Sequence, residues 1–158
     1  MGLDNFMENL DNKHQEDKEN LVFIKQEKER KKMGDDAFLE KFAVYYAKDL
    51  SRIFHSIKKT LSSKFLWEEK AGLLPVQYNC FQISITLTPN FECRTDMVII
   101  KITANAKSRL VQFVGSLPEN MGLQSRVALN YFELSYDDFT LVAMDEEFEK
   151  TLEKAFIK

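Results

Sequence analysis

Glycine, histidine and cysteine are scarce in this chain, and their scarcity excludes several kinds of site. The 158 residues include five glycines, two histidines and two cysteines. No glycines are spaced as in a G-x-G-x-x-G loop or a Walker motif, whose backbone amides must approach a phosphate closely. No two of Cys80, Cys93, His14 and His55 lie within ten residues of each other, whereas zinc ligands usually come in closely spaced pairs. We therefore expect no phosphate-binding loop, no metal and no cofactor.

Long apolar runs are also missing, and no secretory signal is visible in the sequence. The longest uncharged run that approaches a membrane-like composition, residues 73–91, is rich in Gln, Asn, Ser and Thr and holds two prolines, so it does not suit a membrane span. The first residues lack the basic and apolar segments of a secretory signal. With few cysteines and no signal, we expect an intracellular, cytoplasmic protein that makes no contact with a membrane.

Charge is nearly balanced overall but unevenly placed. The chain has 22 basic and 25 acidic residues, a formal net charge of -3. Residues 38–64 carry six basic residues against two acids, and residues 133–153 carry eight acids against one lysine. The mildly acidic pI of about 5.5 argues against a dedicated nucleic-acid binder. One interpretation is that the two segments face each other and cancel.

The first 34 residues are predicted to form a polar arm before a single globular domain at 35–158. Residues 1–20 have no convincing apolar stripe and are predicted to be disordered or frayed. Residues 21–33 begin with an apolar tetrad and continue with strong helix formers of alternating charge, which predicts a solvated helix. Gly34 is predicted to end it, because glycine commonly follows the last helical residue.

The strongest helical signal covers residues 37–66. Apolar residues recur there at threes and fours, as on a helix that faces a core. Gly72 and Pro75 then precede a new pattern. The residues predicted to face the core are Leu39, Phe42, Tyr46, Leu50, Ile53, Ile57 and Leu61.

From residue 76 the apolar period changes to two, which is typical of strands with one wet face. Asp145 is predicted to cap a final helix whose Phe148, Leu152 and Phe156 pack onto the sheet. Short connections favour an antiparallel meander. The fold class is therefore α+β: an N-terminal helical arm and a long amphipathic helix, then an antiparallel meander of four to five strands closed by a C-terminal helix. The strands are predicted at 76–88, 97–104, 110–114, 126–135 and 139–144.

No motif in the chain points to catalysis. Residues 56–59 match the S-x-x-K spacing of serine acyltransferases, but the partner motifs S-D-N and K-T-G are absent. The adjacent acids at 137–138 are predicted to form the turn of a hairpin. Pairing of the first two strands would hold Cys93 too far from Cys80 for a disulfide, so two free thiols are expected. We assign no catalytic residue and expect a protein that is not an enzyme, although carboxylate or tyrosine chemistry would leave little trace in one sequence.

One face of the long helix collects cations, which we call the basic face. Like charges four residues apart repel by a few tenths of a kcal/mol, so an unbroken row calls for an explanation. The row is either solvated or paired within the chain, bound to a protein partner, or bound to phosphates. The basic face consists of Lys41, Lys48, Arg52, His55 and Lys59.

A second candidate interface is apolar. The tetrad at the head of the arm and a tyrosine outside the main apolar sector of the long helix could dock on a second subunit or a foreign protein. This interface would consist of Leu21, Val22, Phe23, Ile24 and Tyr45.

These features favour a small non-enzymatic protein that binds another macromolecule, of the inhibitor, immunity, chaperone or adaptor type, and that acts by occluding a surface. A protein partner is expected, and a homodimer stays open. The alternative is a nucleic-acid-binding accessory protein that places the basic face of helix 37–66 on phosphates. A third hypothesis is a small-ligand binder with a pocket between the sheet and the long helix.

Overall fold

The computed structural model describes residues 2–74, 79–91, 97–118 and 128–157, and it divides into two compact units, Met1–Asp36 and Ala37–Lys158. None of the helices in these ranges is both long and apolar enough to cross a bilayer. In chain order, the elements are α1 (Gly2–Tyr45), a π-helical turn (Tyr46–Leu50), α2 (Ser51–Leu61), β1 (Phe65–Leu73), β2 (Cys80–Pro89), β3 (Val98–Asn105), β4 (Leu110–Ser116), β5 (Ala128–Ser135), α3 (Tyr136–Phe139) and α4 (Met144–Phe156).

The five strands form one antiparallel sheet in the order β1-β2-β3-β4-β5. Each strand pairs with its neighbour in the chain: Ile85 lies opposite Ile100, and Phe113 lies opposite both Ile102 and Phe132. The predicted α+β class, with an antiparallel meander and a closing C-terminal helix, is confirmed.

One face of the sheet forms the core. Along β2 and β3, side chains alternate between fully buried and half-buried, as the period of two predicts. Rings and aliphatic side chains from the helices cover the buried face, among them Phe42, Phe54, Phe139 and Phe148. Cys80, at the start of β2, is buried and carries a free thiol, whereas Cys93 lies outside the described residues.

The prediction that Gly34 ends a helix is wrong. α1 continues through Gly34 to Tyr45, and it also includes residues 2–20, where disorder or fraying was predicted. A glycine inside a helix costs only about 1 kcal/mol relative to alanine, and Lys31, Lys32 and Met33 before it are good helix formers.

The long helix predicted at 37–66 ends at Leu61, and the strand after it was missed. Residues Phe65–Leu73 form β1, an edge strand. Its inward positions include Glu69 beside Phe65 and Trp67, so the apolar alternation that marks the other strands is broken.

The strand predicted at 139–144 is also wrong. Residues Tyr136–Phe139 form the short helix α3, and the Ser135 hydroxyl accepts a hydrogen bond from the Asp138 amide at 3.3 Å. This capping bond satisfies an otherwise free helical N–H, and it favours a helical turn over a hairpin. Helix α4 then begins at Met144, so Asp145 lies in its first turn rather than at its cap.

The π-helical turn changes which side chains face the core. Its hydrogen bonds span five residues instead of four, so the residues that follow are rotated relative to an uninterrupted α-helix. Phe54 is therefore 1% exposed, whereas Ile53, which was predicted to face the core, is 38% exposed. Leu50 and Ile57 are buried as predicted.

Candidate binding groove

Helices α2 and α4 form the walls of a groove of about 650 Å³. The apolar side chains of its floor come from both helices, from the first residue of β1 and from the segment after β2. These side chains are Ile57, Leu61, Phe65, Phe91, Phe148, Leu152 and Phe156.

Three aromatic rings close one end of the groove. The ring centroids of Phe65 and Phe156 lie 5.5 Å apart, and Phe91 lies 5.8 Å from Phe65 and 6.1 Å from Phe156. All three side chains are only half-buried. Aromatic surface that remains partly in water is surface that a bound apolar group can cover with a gain in free energy.

The floor at the other end is continuous with the core. Phe148 stacks on Trp67 with centroids 5.7 Å apart and an interplanar angle of 11°. The indole of Trp67 donates a hydrogen bond to Glu69 Oε1 at 2.9 Å, and the Tyr46 hydroxyl donates to the other carboxylate oxygen. Burial and this hydrogen bond raise the pKa of Tyr46. Trp67, the only tryptophan of the chain, is thus held in a fixed orientation against a groove residue.

One rim of the groove is acidic. Asp145, Glu149 and Glu153, which we call the acidic lip, are exposed and recur every four residues along α4. Each of these acids lies either one residue after or three residues before an apolar floor residue of α4. The acidic row and the apolar row therefore lie side by side on one face of the helix. None of these three acids forms an ion pair with another described residue. Glu147, also on α4, does form one, with Lys150 at 3.3 Å.

The opposite rim carries hydroxyl groups and one lysine. Ser56 and Thr60 lie on α2, and Lys64 follows that helix, again at intervals of four residues. The Thr60 hydroxyl donates to the Ser56 carbonyl oxygen at 3.1 Å. The groove therefore has an apolar floor, one acidic rim and one hydroxyl-bearing rim that ends in a lysine.

The basic face lies outside the groove. All five of its side chains are exposed. Arg52 bonds to Asp49, three residues before it, at 3.4 Å, and Lys41 Nζ lies 4.3 Å from the centroid of the Tyr136 ring. Lys41 and Lys48 also border a second hollow, of about 440 Å³, together with Tyr45. Among the described residues, no ion pair joins the basic face to the acidic segment 133–153.

Tyr45 and the apolar tetrad have different surroundings. Tyr45 is half-buried, with its ring 6.2 Å from that of Phe42 and 5.8 Å from that of Tyr136. Burial raises the pKa of its hydroxyl, and the negative charge of Asp49 and the Tyr136 hydroxyl raise it further. The tetrad Leu21–Ile24 is in α1, and all four side chains are at least half exposed.

Sequence reasoning did not assign the groove residues to a site. The hypothesis of a pocket between the sheet and the long helix comes nearest, since α2 and β1 line the groove, but α4 provides the second wall. The available signal was the run Asp145, Glu149 and Glu153 beside Phe148, Leu152 and Phe156, which places an acidic row next to an apolar row.

The groove has the character of a binding surface. Within the described ranges, no three His, Cys, Asp or Glu side chains converge as metal ligands. The chain matches no protein family, no curated protein and no solved structure at a significant level of similarity.

Proposed function

We propose that this protein is an intracellular, non-enzymatic binding module that takes a basic amphipathic helix of a partner protein into the groove between α2 and α4. The observation that carries the proposal is the acidic lip beside a half-buried aromatic floor. Binding there would occlude the apolar face of the partner segment, as expected of an inhibitor, immunity, chaperone or adaptor protein.

The shape of the groove suits a helix. The groove residues of α4 run from Asp145 to Phe156, roughly 16 Å at 1.5 Å per residue, which is about three helical turns. Two parallel rims above an apolar floor match the pattern of helix-in-groove recognition, in which side chains at intervals of three and four residues serve as anchors.

The charge of the groove favours a basic partner. Asp145, Glu149 and Glu153 repel one another at intervals of four residues. Lysines or arginines spaced by four on the partner helix would lie opposite them and relieve this repulsion. The hydroxyl-bearing rim imposes no comparable demand, so the basic residues of the partner are expected on one flank only.

The test uses two synthetic amphipathic peptides without tryptophan. Both have leucines at threes and fours, and they differ only in carrying lysines or glutamates on one flank. Trp67 fluorescence reports binding, because its ring stacks on Phe148 of the groove. We expect the lysine peptide to bind at least about tenfold more tightly than its glutamate twin, a difference of about 1.4 kcal/mol.

A double charge reversal, Glu149→Lys with Glu153→Lys, is expected to invert this preference. The matched control is Glu146→Lys, because Glu146 is exposed on the same helix but does not line the groove. The same affinity for both peptides, or a preference that the double reversal leaves unchanged, would rule out the groove as the binding site.

The exposure of the basic face supports a second candidate, binding of nucleic-acid phosphates. In the described part of the chain, its one ion pair is the exposed contact of Arg52 with Asp49. Fluorescence anisotropy with labelled duplexes and single strands of DNA and RNA tests this candidate. If it is correct, binding will fall steeply with salt and disappear in the triple variant Lys48→Glu, Arg52→Glu, Lys59→Glu. No binding at low salt would eliminate it.

A further inference from the structure

The arm carries an apolar stripe that no described residue of its own unit covers. Its side chains are between 50% and 79% exposed, and they recur at threes and fours on α1. With 3.6 residues per turn, they lie on one face of the helix, and Val22 and Phe23 lie outside it. The stripe consists of Leu3, Phe6, Met7, Leu10, Leu21 and Ile24.

Polar residues interrupt the stripe at its centre. His14 and Asp17 continue the spacing of fours and threes between Leu10 and Leu21. Apart from Phe6, which flanks Met7, this pattern is the a/d repeat of a coiled coil with a polar centre. Polar residues at such positions set the register and the orientation of the helices at some loss of stability.

We infer that two copies of this chain associate through an antiparallel pairing of their arms. In the register that fits, core residues face each other when their residue numbers in the two copies add up to 31. Met7 then packs against Ile24 of the second copy, and Leu10 packs against its Leu21. At the centre, His14 lies opposite Asp17 of the second copy, where the ring can donate a hydrogen bond to the carboxylate.

The flanking charges match in the same register. These charges flank the core positions, and their numbers add up to 29: Asp4 lies beside Lys25 of the second copy, and Asp11 lies beside its Lys18. The two-fold symmetry therefore gives four contacts between opposite charges. The structure assigns none of these four side chains an ion pair with another described residue of its own chain. They are therefore free to pair across the interface.

A parallel pairing has no such match. It would place Asp17 against Asp17 and His14 against His14 in the centre of the interface. At the flanks, it would bring Lys13 close to Lys18 of the second copy, since positions five residues apart approach each other in parallel coiled coils. Like charges at these sites repel, so the charge pattern favours the antiparallel arrangement.

Charge reversal in the full-length chain tests the pairing. In a dimer of the Asp11→Lys variant, a lysine at position 11 faces Lys18 at two symmetry-related contacts. In a dimer of the Lys18→Asp variant, an aspartate at position 18 faces Asp11 at the same two contacts. We expect each variant to raise the dissociation constant of the dimer at least about tenfold, because two attractive contacts become repulsive. Sedimentation velocity over a range of concentrations measures it.

Mixing the two variants is the decisive experiment. The Asp11→Lys chain has a lysine on both sides of the contact, and the Lys18→Asp chain has an aspartate on both sides. A dimer of one chain of each kind restores both attractive contacts, so two variants that fail alone should associate when mixed. The matched control is Glu16→Lys, since Glu16 is exposed on the opposite face of α1 and should leave the dimer unchanged.

Three results would overturn the inference. They are a chain that stays monomeric at every concentration, a dimer that neither single reversal weakens, and variants that do not associate on mixing. Far-ultraviolet circular dichroism of each variant shows whether its helix content is intact, and recovery on mixing could not come from chains that had lost their helix.

Discussion

Truncation of Phe54 to alanine is expected to destabilise the protein by about 3–5 kcal/mol, whereas Ile53→Ala should cost less than about 1 kcal/mol. Phe54 is almost fully buried, and its ring lies 5.8 Å from that of Phe148, 6.1 Å from that of Trp67 and 6.3 Å from that of Tyr46. Its removal leaves a cavity among these rings. The free energy of unfolding in urea, compared at equal m-value, measures both effects.

The two substitutions form a matched pair because they are neighbours on one helix. The contrast between them depends on the π-helical turn, which rotates Phe54 into the core and Ile53 toward solvent. A larger loss of stability for Ile53→Ala than for Phe54→Ala would mean that the helix continues through Tyr46–Leu50 without the extra residue.

Gly115→Ala is expected to destabilise the protein by about 2–3 kcal/mol through overpacking. A Cβ at position 115 would lie 2.5 Å from Cγ2 and 2.8 Å from Oγ1 of Thr151. Thr151 is fully buried, and its hydroxyl donates to the Glu147 carbonyl oxygen at 2.9 Å, so the side chain cannot turn away without losing this hydrogen bond. Helix α4 would have to shift off β4. Urea unfolding again measures the loss.

Thr151→Ala should rescue much of that loss, because it removes both clashing atoms. The remaining Cβ of residue 151 would lie 3.2 Å away, a close but tolerable contact. We expect the free energy of unfolding of the double variant to fall by at least about 1 kcal/mol less than the sum of the losses in the two single variants. Gly72→Ala is the control, since nothing lies within 4 Å of a Cβ there. Purely additive effects would mean that β4 and α4 are not in contact at this point.

The elements that sequence reasoning predicted correctly are those whose local pattern agrees with their tertiary surroundings. From Phe81 onward, β2 alternates between buried and half-buried side chains, as β3 does, because one face of each strand is core. The repeat of Phe148, Leu152 and Phe156 likewise marks the inward side of α4. In these segments, the spacing of apolar residues in the sequence matches the side chains that are buried in the structure.

The errors occur where a local pattern is overridden. Glu69 lies opposite the buried Ile85 but is itself exposed, and its carboxylate accepts hydrogen bonds from Tyr46 and Trp67. No sequence window of β1 contains Tyr46. Ser135 turns an apparent hairpin into a helical turn through one capping bond. The π-helical turn depends on how Leu50 and Phe54 fit the core, and this fit is a property of the packed molecule.

The two candidate binding surfaces also differ in how far the sequence predicts them. The exposure of the basic-face side chains could be predicted, because these charged residues recur at helical spacing opposite an apolar row. The groove could not, because it exists only where α2 meets α4. The pairing of two walls that are remote in the chain follows from how the sheet places them, and helix periodicity alone contains no information on it.

The strand order also has a consequence for how the chain folds. Every strand pairs with its predecessor, so the sheet can grow by successive short loop closures, each with a small entropic cost. Contacts between α2 and α4 join segments on either side of all five strands, so they close a long loop. The groove is therefore expected to be among the last parts of the molecule to form, and a folding intermediate with a complete sheet would not yet be able to hold a partner.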